Sequence, residues 1–299
     1  MSAETGSASA DWTRRPERGS APVVRFMVWL SLAIGRPASR PLVRAIAAYF
    51  YAFSPTARRN SRAYLERCLG RAPTLRERFA VFYAFSSTIH DRLFFLKDRY
   101  DVFDVQVHGG ELFPEGGHML MGAHVGSFEA MRAAGHHHGH RRVSMAMWET
   151  NLRLRAILSA VNPQAMGDVV QLGRVDSMLQ LCARMDAGDL VGLLADRTFG
   201  EEPVHRVSFL GTPAAFPTGP MRMAAALRRK VYLMVGLYRG GNRYELHFEE
   251  LADFTTLDAT GGRDARVRAA IERYAARLEH YCRAAPDNWF NFHDFWSGK

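Results

Sequence analysis

Residues 119–129 read MLMGAHVGSFE, an apolar run that ends at Gly122 and is followed by a histidine, a glycine turn and a carboxylate. Ser127 is a residue type that favours the start of a helix, and the residues behind it repeat with helical spacing. The pattern predicts a buried strand that brings His124 to the rim of a sheet, with Glu129 in the first turn of the next helix. Open α/β sheets bind ligands at that rim, beyond the carboxyl ends of their strands.

The pair of His124 and Glu129 suits the removal of a proton from a hydroxyl group. A neutral imidazole accepts protons near neutral pH, and a neighbouring carboxylate fixes its tautomer and stabilises the imidazolium. Gly126 and Ser127 lie in the turn between them, where backbone N–H groups at a helix start can face a developing oxyanion. About one His-x4-(Asp/Glu) match is expected by chance in a chain of this composition, so a purely structural histidine is the alternative.

Composition indicates a globular protein of a reducing compartment. The 299 residues are enough for one large α/β domain with additions or for two modest domains, and 47% of them are hydrophobic. The three cysteines lie far apart without a Cys-x-x-Cys pattern, which favours neither a disulfide framework nor a zinc site. Residues 1–11 lack the basic and apolar regions of a signal peptide, so a flexible tail is expected there.

The net charge of +9 is concentrated near the N-terminus, where residues 12–62 contain ten arginines and a single acid, Glu17. Apolar segments at 23–34 and 42–53 are predicted helices, both shorter than the roughly 20 residues that a membrane span needs. One interpretation of residues 12–70 is a helical segment in a membrane interface, with arginines on anionic headgroups. The other is a core hairpin with a solvated basic rim. No nucleic-acid-binding motif is present, so nucleic acid is not an expected partner.

Helices and strands alternate through the rest of the chain. Residues 71–299 are expected to form one α/β domain, and the alternation favours a largely parallel central sheet with helices on both faces, preceded by the N-terminal helical hairpin. Strands are predicted at 102–107, 117–123, 142–148, 168–172, 190–195, 204–210, 231–238 and 244–251. Helices are predicted at 55–69, 74–97, 127–138, 151–161, 175–187, 218–229 and 264–282.

Two further pairs of residues are candidates for binding a substrate. Asp196 and Arg197 directly follow an apolar strand, so both are predicted to lie at the same sheet edge as His124. A guanidinium there can bind a phosphate or a carboxylate with two hydrogen bonds, and a loop ion pair is the alternative. Thr218 and Gly219 open a predicted helix, where their backbone N–H groups are candidates for an anionic headgroup. Ordinary helix-start chemistry would explain the same residues.

Two clusters have a structural explanation. The histidines at 136, 137, 138 and 140 close a predicted helix, where cationic side chains suit the helix dipole. Their spacing is not that of a tetrahedral site, so no metal is expected. Residues 288–296 contain five aromatic side chains, which are expected to dock under the domain rather than to contact lipid.

Several of these stretches together resemble one protein family. They are GAHVGSFE at 122–129, DRTFG at 196–200, VSFLG at 207–211 and the turn at Thr218 and Gly219, in this order. The combination is similar to the bacterial lipid A biosynthesis acyltransferases, the lauroyl/myristoyl transferase branch of the lysophospholipid acyltransferase superfamily. The resemblance covers residues 102–251, and the aromatic end of the chain resembles relatives associated with aryl polyene pigment pathways.

The resemblance implies an O-acyltransferase that moves an acyl chain from a thioester to a hydroxyl group of a lipid or lipid-like acceptor. The donor would be acyl carrier protein or coenzyme A as co-substrate, without a metal or redox cofactor. The implied location is the cytoplasmic face of the bacterial inner membrane, as a peripheral protein. His124 would be the general base and Glu129 its partner, with Asp196 and Arg197 in a second block. A thioesterase that uses the same pair on water, or a non-catalytic module that binds lipid or carrier, is the alternative.

Two features depart from the family pattern. Lipid A acyltransferases have a full N-terminal spanning helix, and the apolar segments here are too short for one. The arginine that follows a glycine in the helical stretch of the family has no direct match. Arg153, Arg155 and Arg174 are its candidates, and none of them is assigned to the oxyanion.

Overall fold

The computed structural model describes residues 21–138, 142–148, 162, 168–173, 176–198, 202–256 and 262–296. Outside these ranges lie the tail at 1–11, the helix predicted over 151–161, and the candidate arginines at 153, 155 and 174. The side chains of the histidine tract at 136–140 are also outside the description. The predictions on these residues stay predictions.

Four helices begin the described chain: α1 (Ala21–Ile34), α2 (Arg36–Phe53), α3 (Pro55–Leu69) and α4 (Leu75–Leu96). Gly70 ends α3 with a φ of 66°, a left-handed conformation that glycine adopts without strain. Thr74 and Glu77 form a capping box at the start of α4, in which each side chain accepts a hydrogen bond from the other residue's backbone N–H. These helices were all predicted, and their existence is confirmed.

The rest of the chain alternates between strands and helices. The strands are β1 (Asp104–His108), β2 (Met119–Gly122), β3 (Val143–Trp148), β4 (Val169–Leu172), β5 (Leu190–Leu194), β6 (Val204–Phe209), β7 (Thr212–Pro217), β8 (Lys230–Tyr238) and β9 (Arg243–Asp253). The helices are α5 (Phe128–His138), α6 (Ser177–Asp186), α7 (Gly219–Ala226) and α8 (Arg263–Ala284).

In the described part of the chain, seven strands form the central sheet in the order β1-β9-β8-β2-β5-β3-β4. The five strands from β8 to β4 are parallel, whereas β9 is antiparallel to β8 and carries β1 parallel to itself. The predicted α/β class with a largely parallel sheet is confirmed. Strand β7 is not among the predicted strands, since it contains Pro213 and Pro217. It pairs instead with β6 in an antiparallel hairpin outside the sheet, where strands tolerate proline.

Strand β2 lies in the middle of this sheet, between β8 and β5, and all four of its residues are buried. A parallel strand that is covered on both faces reads as a continuous apolar run, which explains its sequence. Gly122 and Gly192, on adjacent strands, leave room for Met234, since an added Cβ would lie 2.9 or 3.0 Å from its Cε. The strand therefore delivers the residues after Gly122 to the sheet edge, beside the end of β5.

The N-terminal helices have an inner and an outer face. Arg36 of α2 donates two hydrogen bonds of 2.8 Å to the buried carboxylate of Asp91 on α4. The buried residues of α2 recur with helical spacing: Arg36, Ser39, Val43 and Ala47. The outer face exposes large apolar side chains, among them Phe26, Trp29, Tyr49 and Phe53. The buried inner face of these helices thus fits the interpretation as a core hairpin. The exposed apolar outer face is the part to which the membrane interpretation applies.

The hydrophobic core extends across the predicted boundary at residue 70. Tyr64 and Leu65 of α3 belong to the same buried cluster as Phe95 of α4 and the central strands. The division into residues 12–70 and 71–299 stays a prediction. Within the described ranges, no helix is both long enough and apolar enough to cross a bilayer.

Candidate active site

The candidate site is built where two neighbouring parallel strands end. His124 follows β2, and Asp196 follows β5. The Nδ1 atom of His124 lies 2.8 Å from Oδ1 of Asp196, and the backbone N–H of His124 donates to Oδ2 at 3.0 Å. The strand pairing continues past the end of β5, since the Ala195 N–H donates to the carbonyl of Gly122, the last residue of β2, at 2.9 Å. The prediction that His124 and Asp196 share one sheet edge therefore agrees with the geometry.

The electrostatics of this pair keep the carboxylate charged and the imidazole ready to accept a proton. Burial alone would raise the pKa of Asp196, but His124, Arg197 and the indole of Trp289 hold it well below its usual range. Burial lowers the pKa of His124, and Arg197 lowers it further, against the opposing effect of Asp196. An ionised carboxylate can only accept, so Nδ1 carries the hydrogen and Nε2 carries the free lone pair. The His124 side chain is 30% exposed, so this lone pair can meet a substrate.

Glu129 does not take the position predicted for it. Its carboxylate oxygens lie 2.6 Å from Nη2 of Arg92 on α4 and 2.9 Å from Nε of Arg132 on α5. The side chain of Glu129 is 9% exposed, and burial alone would raise its pKa, but Arg92 and Arg132 outweigh burial and lower it. The physical reason is local: Arg132 is one helical turn away, and α4 brings a second guanidinium to the same point. The carboxylate on the imidazole is therefore that of Asp196, which corrects the predicted His124–Glu129 partnership.

The turn before α5 also differs from its predicted role. Ser127 is the predicted N-cap, and its hydroxyl accepts the Ala130 N–H at 3.1 Å. The backbone N–H of Gly126 donates to the carbonyl of Asn288 at 2.8 Å, and that of Ser127 donates to the carbonyl of Gly236 at 2.7 Å. These two N–H groups are committed to backbone acceptors, so they are not the predicted oxyanion donors.

Gly126 instead has a steric role at the site. Its φ is 61°, and an added Cβ would lie 1.8 Å from the carbonyl oxygen of Gly236. Only glycine allows the turn to approach β8 this closely. The close approach sets the position of the turn that connects His124 to α5.

At the predicted anion site, Thr218 has other partners. The backbone N–H of Thr218 donates to the carbonyl of Pro203 at 2.9 Å, and its hydroxyl donates to the same oxygen at 3.1 Å. A carboxylate oxygen of Glu202 lies 3.2 Å from the Cβ position of Gly219. Because both donors of Thr218 are used and a carboxylate lies beside Gly219, this geometry does not favour an anion at the start of α7.

Arg197 joins the site from the loop after β5. Its Nη2 donates to the carbonyl of Phe290 at 3.1 Å, and its charge lowers the pKa of His124 and of His293. Burial, followed by Arg197, lowers the pKa of His293 to about 4, so this second imidazole is neutral at physiological pH. Arg197 and His124 are both hydrogen-bonded to the backbone of Phe290, which agrees with the predicted placement of Arg197 at the same sheet edge. The binding of a phosphate or carboxylate by Arg197 stays a prediction.

Sequence reasoning did not assign the C-terminal residues that reach the site. Nε1 of Trp289 donates to Oδ2 of Asp196 at 3.0 Å, and the Phe290 N–H donates to the carbonyl of His124 at 2.8 Å. The aromatic density of residues 288–296 predicted docking, and Trp289 is indeed 1% exposed. Nothing in that stretch indicated which groups it would meet. Among the described side chains, no cluster of three or more His, Cys, Asp or Glu could hold a metal ion.

The fold and the site define a class before any comparison is made. A largely parallel α/β sheet carries, at its carboxyl edge, an imidazole oriented by a buried carboxylate, an arrangement typical of enzymes that use a general base. The profile of the family described as bacterial lipid A biosynthesis acyltransferase matches residues 12–297. The chain belongs to this family and is a lipid acyltransferase.

The crystal structure of the 1-acyl-sn-glycerophosphate (LPA) acyltransferase, PlsC, from Thermotoga maritima is similar to this chain with 14% sequence identity and a TM-score of 0.41. The alignment covers 84% of this chain and 98% of the Thermotoga chain. A comparison with the curated proteins finds no match.

Proposed function

We propose that this protein transfers an acyl chain from a thioester, carried by acyl carrier protein or coenzyme A, to a hydroxyl group of a lipid acceptor. The observation that carries the proposal is the hydrogen-bonded pair of His124 and Asp196 at the sheet edge, with the imidazole partly exposed. A thioester is already activated, so the reaction needs a base and oxyanion stabilisation but no metal or redox cofactor.

His124 acts as the general base in this proposal. Nε2 takes the proton of the acceptor hydroxyl while the hydroxyl oxygen attacks the thioester carbonyl. Asp196 stabilises the imidazolium that forms. Collapse of the tetrahedral intermediate releases the thiolate, which receives the proton from the imidazolium. Arg197 lies close enough to influence His124, and its guanidinium is the proposed contact for an anionic group of the substrate.

Lipid analysis gives the direct test of this function. The protein is incubated with radiolabelled lauroyl-acyl carrier protein, with lauroyl-coenzyme A in a second arm, and with a total bacterial lipid extract as acceptor. Formation of a labelled ester lipid is expected, and mass spectrometry then identifies the acceptor. Release of free laurate at the same rate with and without the extract would instead indicate a thioesterase. No consumption of either thioester would indicate a binding module.

The pH dependence of transfer is a second prediction. Only the neutral imidazole can act as a base, and the pKa of His124 lies below the 6.5 of an ordinary histidine because burial outweighs the attraction of Asp196. The acid limb of kcat/KM is therefore expected to have its midpoint below pH 6.5. Rates measured between pH 4.5 and 8 in buffers of constant ionic strength give the midpoint. A midpoint above 6.5 would contradict a partly buried imidazole that is neutral at physiological pH.

The outer face of α1 and α2 is the proposed contact with the membrane. Trp29 is 63% exposed and Phe53 is 60% exposed, and both lie on helices in the basic N-terminal region. Exposed aromatic side chains insert into the headgroup layer, and the exposed arginines nearby in sequence, Arg44 on α2 and Arg59 on α3, would attract anionic lipids. The proposed location is the cytoplasmic face of the bacterial inner membrane, as a peripheral protein.

A double substitution tests this surface without touching the buried inner face. Trp29→Ser combined with Phe53→Ser is expected to weaken binding to phosphatidylglycerol vesicles at least about tenfold, because each aromatic side chain contributes on the order of 1.5–3 kcal/mol when it leaves water. Binding of the unmodified protein should also fall as salt rises. Leu179→Ser is the matched control, since Leu179 is 73% exposed on α6. An equal loss in the control, or no loss in the double variant, would refute the surface.

A further inference from the structure

The C-terminal segment forms one wall of the site through its backbone. The Phe290 N–H donates to the carbonyl of His124, and the Gly126 N–H donates to the carbonyl of Asn288, both at 2.8 Å. Val125 and Trp289 form an antiparallel bridge between these two bonds. The short stretch that carries the base is therefore paired, residue by residue, with the end of the chain.

Trp289 reaches from this segment to the carboxylate behind the base. Its Nε1 donates to Oδ2 of Asp196 at 3.0 Å, and the same oxygen accepts the backbone N–H of His124 at 3.0 Å. The other oxygen, Oδ1, lies 2.8 Å from Nδ1 of the imidazole. Three donors thus fix the plane of the buried Asp196 carboxylate. Two of them belong to His124, and the third is the indole N–H of Trp289, which comes from the C-terminal segment. Of the two donors to Oδ2, the backbone N–H of His124 alone would remain without the indole.

The indole itself is held by aromatic rings from distant parts of the chain. Its ring centroid lies 4.9 Å from that of Tyr64 on α3, 5.3 Å from that of Phe209 on β6, and 4.9 Å from that of Phe295. All three contacts are edge-on, a favourable geometry for aromatic pairs. A ring packed in this way cannot turn aside, so its N–H direction is fixed by the fold.

We propose that Trp289 is a positioning residue, which holds Asp196 in the orientation that keeps the His124 imidazole aimed at the substrate. The proposal rests on the acyl-transfer function above for its kinetic part. It makes the last residues of the chain a part of the catalytic machinery, acting through Asp196 without contact to the substrate.

Two tryptophan substitutions in the same aromatic cluster separate this role from packing. Trp289→Phe removes the N–H but keeps an aromatic ring. Trp296→Phe is the matched control, because the ring centroid of Trp296 lies 6.0 Å from that of Trp289 and its buried Nε1 has no hydrogen-bond partner among the residues that the structure describes. Both variants lose one indole from one cluster, and only the first loses a hydrogen bond to Asp196. If Trp289→Phe fails to fold, the isosteric benzothienylalanine is introduced at position 289.

The readouts are steady-state kinetics with lauroyl-acyl carrier protein and the NMR titration of the His124 ring, assigned with a His124 variant. Trp289→Phe is expected to lower kcat about tenfold at unchanged KM, the effect of losing one hydrogen bond to a charged group. The titration midpoint of His124 should move up, because Asp196 then offers more of its charge to the imidazolium. Trp296→Phe should leave kcat and the titration midpoint of His124 close to those of the unmodified protein.

Equal kinetic losses in the two variants, with the His124 midpoint unmoved, would overturn the proposal and leave Trp289 a packing residue. The titration needs no substrate, so it decides for or against Trp289 independently of the transfer assay. An absence of transfer in the unmodified protein would count against the proposed function, and the titration would still report on Trp289.

Discussion

Replacement of His124 by alanine should reduce acyl transfer by roughly 10²- to 10⁴-fold, the usual contribution of a general base. The variant removes the ring nitrogen that accepts the proton of the acceptor hydroxyl, and no other described imidazole is hydrogen-bonded to Asp196. The side chain is 30% exposed, so its removal leaves no large cavity. The measurement is the rate of thiol release from lauroyl-acyl carrier protein in the presence of lipid extract.

A second substitution at position 124 controls for the hydrogen bond to Asp196 that the alanine variant loses together with the base. Asp196 is buried and would lose the donor on Oδ1, which costs about 1–3 kcal/mol for an unsatisfied group. His124→Asn offers an amide N–H near the position of Nδ1 and no base, so it should fold more stably than the alanine variant while remaining equally inactive. Thermal unfolding checks the first part. Turnover near that of the unmodified protein in either variant would refute His124 as the base.

The elements around His124 could be predicted from the sequence because their causes are local. A continuous apolar run predicts a buried parallel strand, and Ser127 predicts a helix start, since its hydroxyl caps the N–H of Ala130. The order of the strands has no such local cause. The position of β2 between β8 and β5, and that of β1 beside β9, depend on packing between distant segments. The β6–β7 and β8–β9 hairpins join neighbours in sequence, and β7 is not predicted because it contains Pro213 and Pro217.

The sequence predicts which sheet edge carries the site, but not which side chains contact His124 there. Both His124 and Asp196 follow apolar strands, and parallel strands end on the same side, so their proximity could be expected. The choice of carboxylate could not, because it depends on where α4 delivers Arg92 to Glu129. Trp289 was less predictable still: it lies 93 residues from Asp196 in sequence, and no motif marks the contact.

A comparison of Asp196→Asn with Glu129→Gln is expected to separate the two carboxylates by their kinetics. Asp196→Asn should lower kcat by roughly 10³- to 10⁴-fold, because an amide beside Nδ1 permits the tautomer that has no lone pair on Nε2. Glu129→Gln should keep most of kcat, since the hydrogen-bond partners of Glu129 are Arg92 and Arg132. Its cost is to stability: two guanidiniums lose their counterion, and the free energy of unfolding should fall by about 3 kcal/mol.

The pH profiles of these variants make the comparison independent of absolute rates. Asp196 raises the pKa of His124, so its removal should shift the acid limb of kcat/KM to lower pH even as the plateau falls. Glu129→Gln should leave the limb in place, because the charges that act on His124 are those of Asp196 and Arg197. Glu129→Gln could instead abolish turnover in a folded protein while Asp196→Asn does not. That result would show that Glu129, and not Asp196, orients the His124 imidazole. The Asp196 geometry would then describe a resting arrangement that the substrate rearranges.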